Sequence, residues 1–353
     1  MTIQELKKIW NLPMVLLAGV LCIITIFSAV NAGRWDWTVQ EDEVYEGYLK
    51  RWEGALTEDK LLEIEEERTL LVTLPEKAED MKKAYAAKEI TWEEYCAYTD
   101  ELFYVQTHQA GFQRLEMDLS YLQTEEMNTG IGNLQLFFTR YWNYYFQADT
   151  VDYVLLFLVF AVALRSVFVE TSSRMLPMLR ASRQGIAGVM TAKFGAVGLS
   201  VGGLALLCGL VRLMCFLLYH EMPCMDGALQ SLSMFSEMSW SVNLFGGALL
   251  VCVLRTIGFA LLGMLVLAVS MVIGKEVIAV AVSAVCVFLP LMMKESAVWV
   301  YRFSLYGLLN GVTAMQGAGA YGGSGLAETG IVLGVCAVWS MIVGLVMWGS
   351  VKQ

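Results

Sequence analysis

Residues 194–219 read FGAVGLSVGGLALLCGLVRLMCFLLY, and in this run of 26 the one charged side chain is Arg212. A helix needs about 20 apolar residues to cross a hydrocarbon core of roughly 30 Å. Only helices and closed barrels satisfy all their backbone groups inside a bilayer. The run shows no alternation of apolar and polar positions, which excludes a barrel strand and leaves a membrane-spanning helix. Five further stretches have the same character: Leu12–Asn31, Asp152–Val169, Ala248–Gly274, Val277–Met293 and Thr329–Ser350. With 57% hydrophobic and 16% charged residues, the chain lies far from the composition of soluble domains.

The charge is not spread evenly. Residues 31–149 hold 25 Asp and Glu against 11 Lys and Arg, a local net of −14, while the remaining chain carries 9 acids and 13 bases. The formal charge of −10 is therefore the sum of a soluble acidic insert and a weakly basic apolar body. The expected fold is an all-α membrane protein of six transmembrane helices, with a helical extracytoplasmic domain between the first and second. Its expected divisions are 1–31 (cytosolic N-terminus and first helix), 32–150 (acidic domain) and 151–353 (five-helix region with a cytosolic coupling segment at 170–193). The run Met14–Val30, preceded by Lys7 and Lys8, also has the outline of a signal peptide. It is longer than the usual apolar region of about 7–15 residues, so a retained span is expected.

Lys and Arg collect on the cytoplasmic side of a membrane. Placing both termini inside gathers Lys7, Lys8, Arg165, Arg174, Arg180, Arg183, Lys193, Lys275 and Lys352 there, and leaves Lys294 and Arg302 outside, apart from the insert. The expected location is the cell membrane, multi-pass, with 32–150 extracytoplasmic.

The insert reads as helices. Tyr45, Tyr48, Leu49 and Trp52 fall on one helical face. Thr57 followed by Glu58 and Asp59 opens a second helix, and Pro75 interrupts its pattern. Thr91 and Glu94 have the spacing of a capping box ahead of a long helix that Gly130-Ile131-Gly132 breaks. No strand signal is present. The aromatic run from Phe137 to Phe146 precedes the second span and reads as an interfacial belt.

Chemistry is sparsely supplied. No G-x-x-x-x-G-K-[ST] loop occurs, and Gly274-Lys275 is followed by Glu276, so the chain cradles no ATP of its own. His220-Glu221-Met222-Pro223-Cys224 lacks the second histidine of a zinc helix, and His108 is the only other histidine in the chain, so no metal site is expected. Six of the eight cysteines fall in spans. Cys96 and Cys224 do not, and the sequence leaves open whether they pair. The glycines at 317, 319, 322, 323 and 325 suggest a tight outer loop, and Gly198-x-x-x-Gly202 and Gly330-x-x-x-Gly334 permit close helix contact. Arg212 and Arg255 fall inside spans. Each either snorkels to headgroups or lines a substrate path that holds an anion.

The elbow after the second span runs Val169-Glu170-Thr171-Ser172-Ser173-Arg174-Met175-Leu176-Pro177-Met178-Leu179-Arg180-Ala181-Ser182-Arg183-Gln184-Gly185-Ile186, and Ala192-Lys193 follows. It resembles the permease subunits of ABC-2 type exporters, members of the ATP-binding cassette superfamily. The six-span plan, internal termini, an outer re-entrant region over Pro290–Gly325 and a large insert all agree with that likeness. The insert's segments Trp52–Glu58 and Ile90–Tyr95 are similar in style to those of Gram-positive peptide-export or resistance permeases.

The resemblance implies that Glu170, Leu176, Arg180, Arg183 and Lys193 dock on a cytosolic ABC ATPase that carries ATP and magnesium. It also implies pairing with a second permease, as a homo- or heterodimer, around a path for a peptide, lipid-like or drug-like substrate. The chain itself would then be no enzyme and would carry no cofactor or metal. The alternative is a membrane sensor whose acidic outer domain binds cationic peptides, which would need a cytosolic signalling module. An intramembrane enzyme would need paired Asp, His or Ser–Lys groups in the spans, and the sequence supplies none. Nothing indicates nucleic acid.

Overall fold

The computed structural model describes residues 2–34, 43–147, 150–172, 185–240, 242–273, 276–322 and 324–352. The chain divides into two compact units. One comprises Met1–Trp35, Tyr141–Met222 and Glu237–Gln353, and the other Asp36–Arg140 with Pro223–Ser236.

The chain opens with a short amphipathic helix, α1 (Thr2–Ile9), that buries Glu5 and Ile9. Asn11 then caps α2 (Leu12–Val30): its side chain accepts the Met14 N–H at 3.2 Å, and Pro13 occupies the first turn, where no backbone donor is missed.

The acidic unit follows. Its helices are α3 (Glu43–Arg51), α4 (Glu58–Glu76), α5 (Ala78–Ala86) and α6 (Trp92–Thr129). Thr57 caps α4. Thr91 and Glu94 form the expected capping box on α6, with Glu94 Oε2 accepting the Thr91 N–H at 2.8 Å. Gly130 ends α6 at φ +67°, a left-handed turn that suits a residue without a Cβ. Pro75 does not split α4, because it sits in the last turn before the cap at Lys77. Trp52, Leu49, Val105, Phe112, Leu115 and Leu122 form the core, and Tyr48 stacks on Trp52 with ring centroids 5.3 Å apart.

Two features of this unit depart from the sequence reading. A short antiparallel pair joins β1 (Gly54–Ala55) to β2 (Gln135–Leu136). The segment Pro223–Ser236, far from the insert in sequence, belongs to the unit as well. Ala228 enters its core, the Ala228 N–H donates to the Asn133 carbonyl at 3.0 Å, and Tyr121 Oη donates to the Gln230 carbonyl at 2.7 Å.

The apolar unit continues with α7 (Arg140–Phe146), α8 (Thr150–Ser172), α9 (Gly185–Tyr219), α10 (Leu244–Ile273) and α11 (Glu276–Met292). Three short helices follow, α12 (Val298–Phe303), α13 (Leu305–Asn310) and α14 (Val312–Gly322), and then α15 (Gly325–Lys352). Among the described residues five helical stretches are long and apolar enough to cross a membrane: Leu12–Val30, Arg140–Ser166, Gly188–Tyr219, Leu244–Ile273 and Gly325–Gly349. The expected fifth span, over Val277–Met293, is the shorter helix α11 of 17 residues, with Pro290 in its last turn. The outward faces are themselves apolar: Leu12 is 74% exposed, Phe27 65% and Leu326 90%. Rows of such side chains have no favourable place in water and are at home against acyl chains. The protein is an all-α, membrane-type chain.

Helices α9 and α10 share the longest contact in the unit. A Cβ on Gly198 would stand 3.3 Å from Met264 Sδ, and one on Gly202 3.3 Å from Ala260 Cβ, so this glycine pair lets the two helices close up. The pair Gly330 and Gly334 faces open space instead. Of the glycines from 317, Gly317, Gly319 and Gly322 belong to α14, Gly325 opens α15, and Gly323 lies outside the described residues. Gly317 and Gly319 lie within α14, where a Cβ would meet Arg302 Cβ at 2.9 Å and the Glu237 carbonyl oxygen at 2.7 Å respectively. Their smallness serves close backbone approach. The aromatic run is likewise not a belt, because Trp142, Tyr145 and Phe146 are buried within the unit.

Candidate functional site

A cluster of polar groups among the apolar helices surrounds the two arginines singled out in the sequence. Helix α7 ends at Phe146, which leaves its last carbonyls without partners in the helix. Arg212, projecting from α9, supplies donors to that end: Nη2 donates to the Tyr144 carbonyl at 2.8 Å and to the Gln147 carbonyl at 3.1 Å. Its guanidinium lies 5.8 Å from the ring centres of both Tyr145 and Phe216. A cation held between ring faces and carbonyl dipoles is compensated without a carboxylate. Arg212 is buried and does not snorkel.

Arg255, on α10, forms an ion pair through Nη2 with Oδ1 of Asp152, in the first turn of α8. Both side chains are largely shielded. The pair ties α8 to α10 and neutralises one cation of the cleft. Arg212, Arg255 and Asp152 line a single narrow cleft with Thr25, Tyr145 and Cys208, so the structure does bring the two arginines together. Asp152 is the residue missed in sequence. Its signal is an acid at the first turn of an apolar helix, opposite a basic residue in another span.

Of the expected docking residues, Leu176, Arg180 and Arg183 lie outside the described residues. Glu170 lies on the last turns of α8, and its side chain is outside the described set. Lys193 is described, and it faces inward. It is 2% exposed, and Nζ donates to Oε2 of Glu5 at 3.3 Å and to the Ser166 carbonyl at 2.8 Å. Glu5 also accepts from Lys8 Nζ at 2.6 Å through Oε1. Burial raises the Glu5 carboxyl, but the hydrogen bond from Lys8 and the charges of Lys193 and Lys8 outweigh it and hold the group below its ordinary value. Lys193 therefore spends its charge inside the chain, joining α1 to α8 and α9. The sequence reading missed Glu5, whose signal is its place one turn before Ile9 on the buried face of α1.

Chemistry elsewhere is limited. No group of three or more His, Cys, Asp or Glu that could hold a metal occurs among the described residues. His220 Nε2 donates a hydrogen bond to the Ala29 carbonyl at 2.7 Å, and the ring stacks on Tyr141. Cys96 and Cys224 are both free thiols. Burial and the neighbouring Glu53 push the Cys224 thiol up to about 11, which keeps it protonated and unreactive at neutral pH. No protein-family model matches the chain, and neither the curated proteins nor the solved structures contain a match.

Proposed function

We propose that this chain is the permease subunit of an ATP-binding cassette exporter, set in the cell membrane with both termini inside. In this reading the acidic unit lies outside, and the chain works with a second permease and cytosolic ABC ATPase subunits. The observation that carries the proposal is the basic elbow between α8 and α9. Glu170 stands near the end of one apolar helix, Arg174, Arg180 and Arg183 follow within 13 residues, and a second long apolar helix begins at Gly185. Charged pairs fix register where two proteins meet. An apolar Leu176 flanked by arginines suits an ATPase groove with an acidic rim. The missing phosphate-binding loop assigns ATP and magnesium to the partner chain.

Six spans are part of the proposal, with α11 crossing as the shorter fifth and α12 to α14 forming the outer re-entrant region. Nucleotide-driven closure of the ATPases would push on the elbow and tilt the helices it joins. The cleft lined by Arg212 and Arg255 is the path we assign to a peptide, lipid-like or drug-like substrate.

The test is first whether an ABC ATPase with a Walker motif is encoded beside this chain, and then co-purification of the chain with its product. Arg180→Glu with Arg183→Glu should leave the protein in the membrane but abolish both capture and stimulated ATP hydrolysis. Survival of both would overturn the docking assignment.

A second reading rests on the acidic unit. Asp36–Arg140 with Pro223–Ser236 holds 25 Asp and Glu against 10 Lys and Arg, a net of −15. A field of that sign draws cationic peptides, as a sensor would require.

A further inference from the structure

Helix α6 runs 38 residues and turns one face to the core of the acidic unit, through Tyr98, Val105, Phe112, Leu115, Leu119 and Leu122. Its outward face follows from Trp92 in alternate steps of four and three, through Cys96, Thr99 and Phe103, to Met127. Eleven positions fall on that count. Such spacing is the seven-residue repeat of a helix that packs along a second helix. Ten of the eleven are exposed and Cys96 is half-buried. Not one is charged.

The missing charge is what requires a cause. The unit carries a net of −15, and on α4 eight of the twelve residues 58–69 are charged. A face of such a bundle that met only water would carry charge as well. Large apolar groups stand on the stripe instead: Trp92 is 62% exposed, Phe103 67%, Met117 63% and Met127 82%. Single exposed apolar side chains are ordinary. Four of them along one charge-free face of a highly charged unit mark a surface made for contact. Gln106 and Gln113 occupy the middle of the stripe, and polar residues inside a helical seam fix its register.

We propose that this stripe is the face on which the acidic unit pairs with the same unit of a second copy, α6 against α6, parallel and in register. Charge selects the occupant. Two bodies of net −15 repel each other, and a face without charge is where they approach at least cost. Parallel pairing also keeps like charges apart along the flanks of the seam. Tyr95 stands across from the partner's Asp100, Gln109 from the partner's Arg114, and Glu116 from the partner's Tyr121. A cationic partner would be drawn to the acids of α4 instead, and an anionic lipid surface would be repelled by the unit as a whole. The inference takes from the permease reading only that two copies lie side by side, and it holds equally for a sensor.

The test uses the full-length protein in its membrane, with Cys96→Ser so that the seam holds no thiol of its own. Thr99→Cys, Ala110→Cys and Glu79→Cys are introduced singly and treated with a short bismaleimide. Thr99→Cys and Ala110→Cys should each give a linked dimer. Glu79→Cys, exposed on α5, should give no more than the Cys96→Ser chain alone. Adding Phe103→Glu with Met117→Glu should lower the yield at position 110 about tenfold. Leu62→Glu with Leu70→Glu, the same change at exposed positions of α4, should leave it unchanged. Links at 99 and 110 no stronger than at 79 would overturn the pairing. A link at 110 without one at 99 would overturn the parallel register, because antiparallel helices bring only the middle of the stripe to its counterpart. If the Phe103→Glu, Met117→Glu variant melts lower than its parent, the three cysteine positions decide alone. Native mass spectrometry separates this inference from the permease reading. A dimer without the α6 links would overturn this face and leave a second permease in place, whereas links in a chain that captures no ATPase would overturn the permease and support the pairing.

Discussion

Lys193 and Glu5 are separated by 188 positions in sequence and meet in the apolar unit. Their bond shows what a buried charge requires. A buried side chain of this kind, 2% exposed, needs nearby oxygens in place of water, and Glu5 and the Ser166 carbonyl supply them. Removing either partner alone should therefore strand the other. Glu5→Gln and Lys193→Met should each destabilise the chain by about 3 kcal/mol, and the double variant by clearly less than the sum. A double-mutant cycle on thermal melting in detergent reads this directly, and additive losses would show that the two groups act separately. The sign of the pH effect follows from the lowered Glu5 carboxyl. Its contribution is present above the unfolded value of 4.5 and is lost as pH falls through the folded value, so acid should narrow the gap between wild type and Glu5→Gln. The sequence marked Lys193 as a basic residue at the start of a span and, by resemblance, as an ATPase-docking group, and it did not reach Glu5, because the identity of that partner depends on which helix α1 lies against. Arg212 is a similar case. Its inward orientation follows from two backbone carbonyls at the end of α7, and side-chain spacing carries no trace of them.

Elements with local causes were the most legible. The N-cap residues Thr57 and Thr91 and the stop at Gly130 each act within one turn, so sequence placed them where the structure has them. Helix α6 runs 38 residues between Thr91 and Gly130, with acids in its first turn and no base in its last. Both ends should matter measurably. Thr91→Ala removes the cap and the anchor for Glu94, and should destabilise α6 by about 1 kcal/mol. Gly130→Ala forces a Cβ into φ +67° and should have a similar effect, about 1 kcal/mol. Thr107→Ala, in the middle of the same helix, should be near neutral, because its exposed hydroxyl bonds only to groups within one turn, the Phe103 and Tyr104 carbonyls and His108 Nδ1. Amide hydrogen exchange at the two ends of α6 in the full chain separates these outcomes, and equal loss at all three positions would contradict the capping argument. The segment Pro223–Ser236 shows the opposite case. It has no helical period and hardly any charge, so nothing local distinguishes it from a surface loop. Its place is set by hydrogen bonds from distant residues: Asn133 Nδ2 to the Asp226 carbonyl at 2.9 Å and the Gln135 N–H to Ser231 Oγ at 3.0 Å. The aromatic run before α8 was misread for a related reason. A belt and a buried cluster have the same composition, and only the packing partners distinguish them.

At the scale of the molecule the division of charge is the feature with the longest reach. An acidic unit of net −15 is covalently joined to an apolar unit that carries the remaining bases. Two accounts of that charge compete. It either keeps an exposed helical bundle soluble, or its field concentrates cationic ligands close to the membrane. The accounts differ in their dependence on salt and on ligand charge. A field acting on approaching peptides is screened over about 30 Å at 0.01 M salt and about 10 Å at 0.1 M, so attraction weakens steeply across that range. Solubility of a net-charged bundle changes little over the same interval.

The piece to test is Asp36–Arg140 joined by a flexible linker to Pro223–Ser236, because without the second segment Ala228 is missing from the core and the Tyr121 hydroxyl loses its acceptor. Amphipathic peptides matched in length and apolar content, one set cationic and one neutral, should be titrated at both salt concentrations. The second functional reading, and substrate capture beside a permease, both require saturable binding of the cationic set that falls at least tenfold between the two salts. Equal binding of the neutral set would assign the affinity to apolar surface such as Phe103 and Trp92, which are exposed on α6. Absence of binding by either set would leave the acidic residues with solubility alone, and the permease proposal would then stand or fall on the elbow at Arg180 and Arg183.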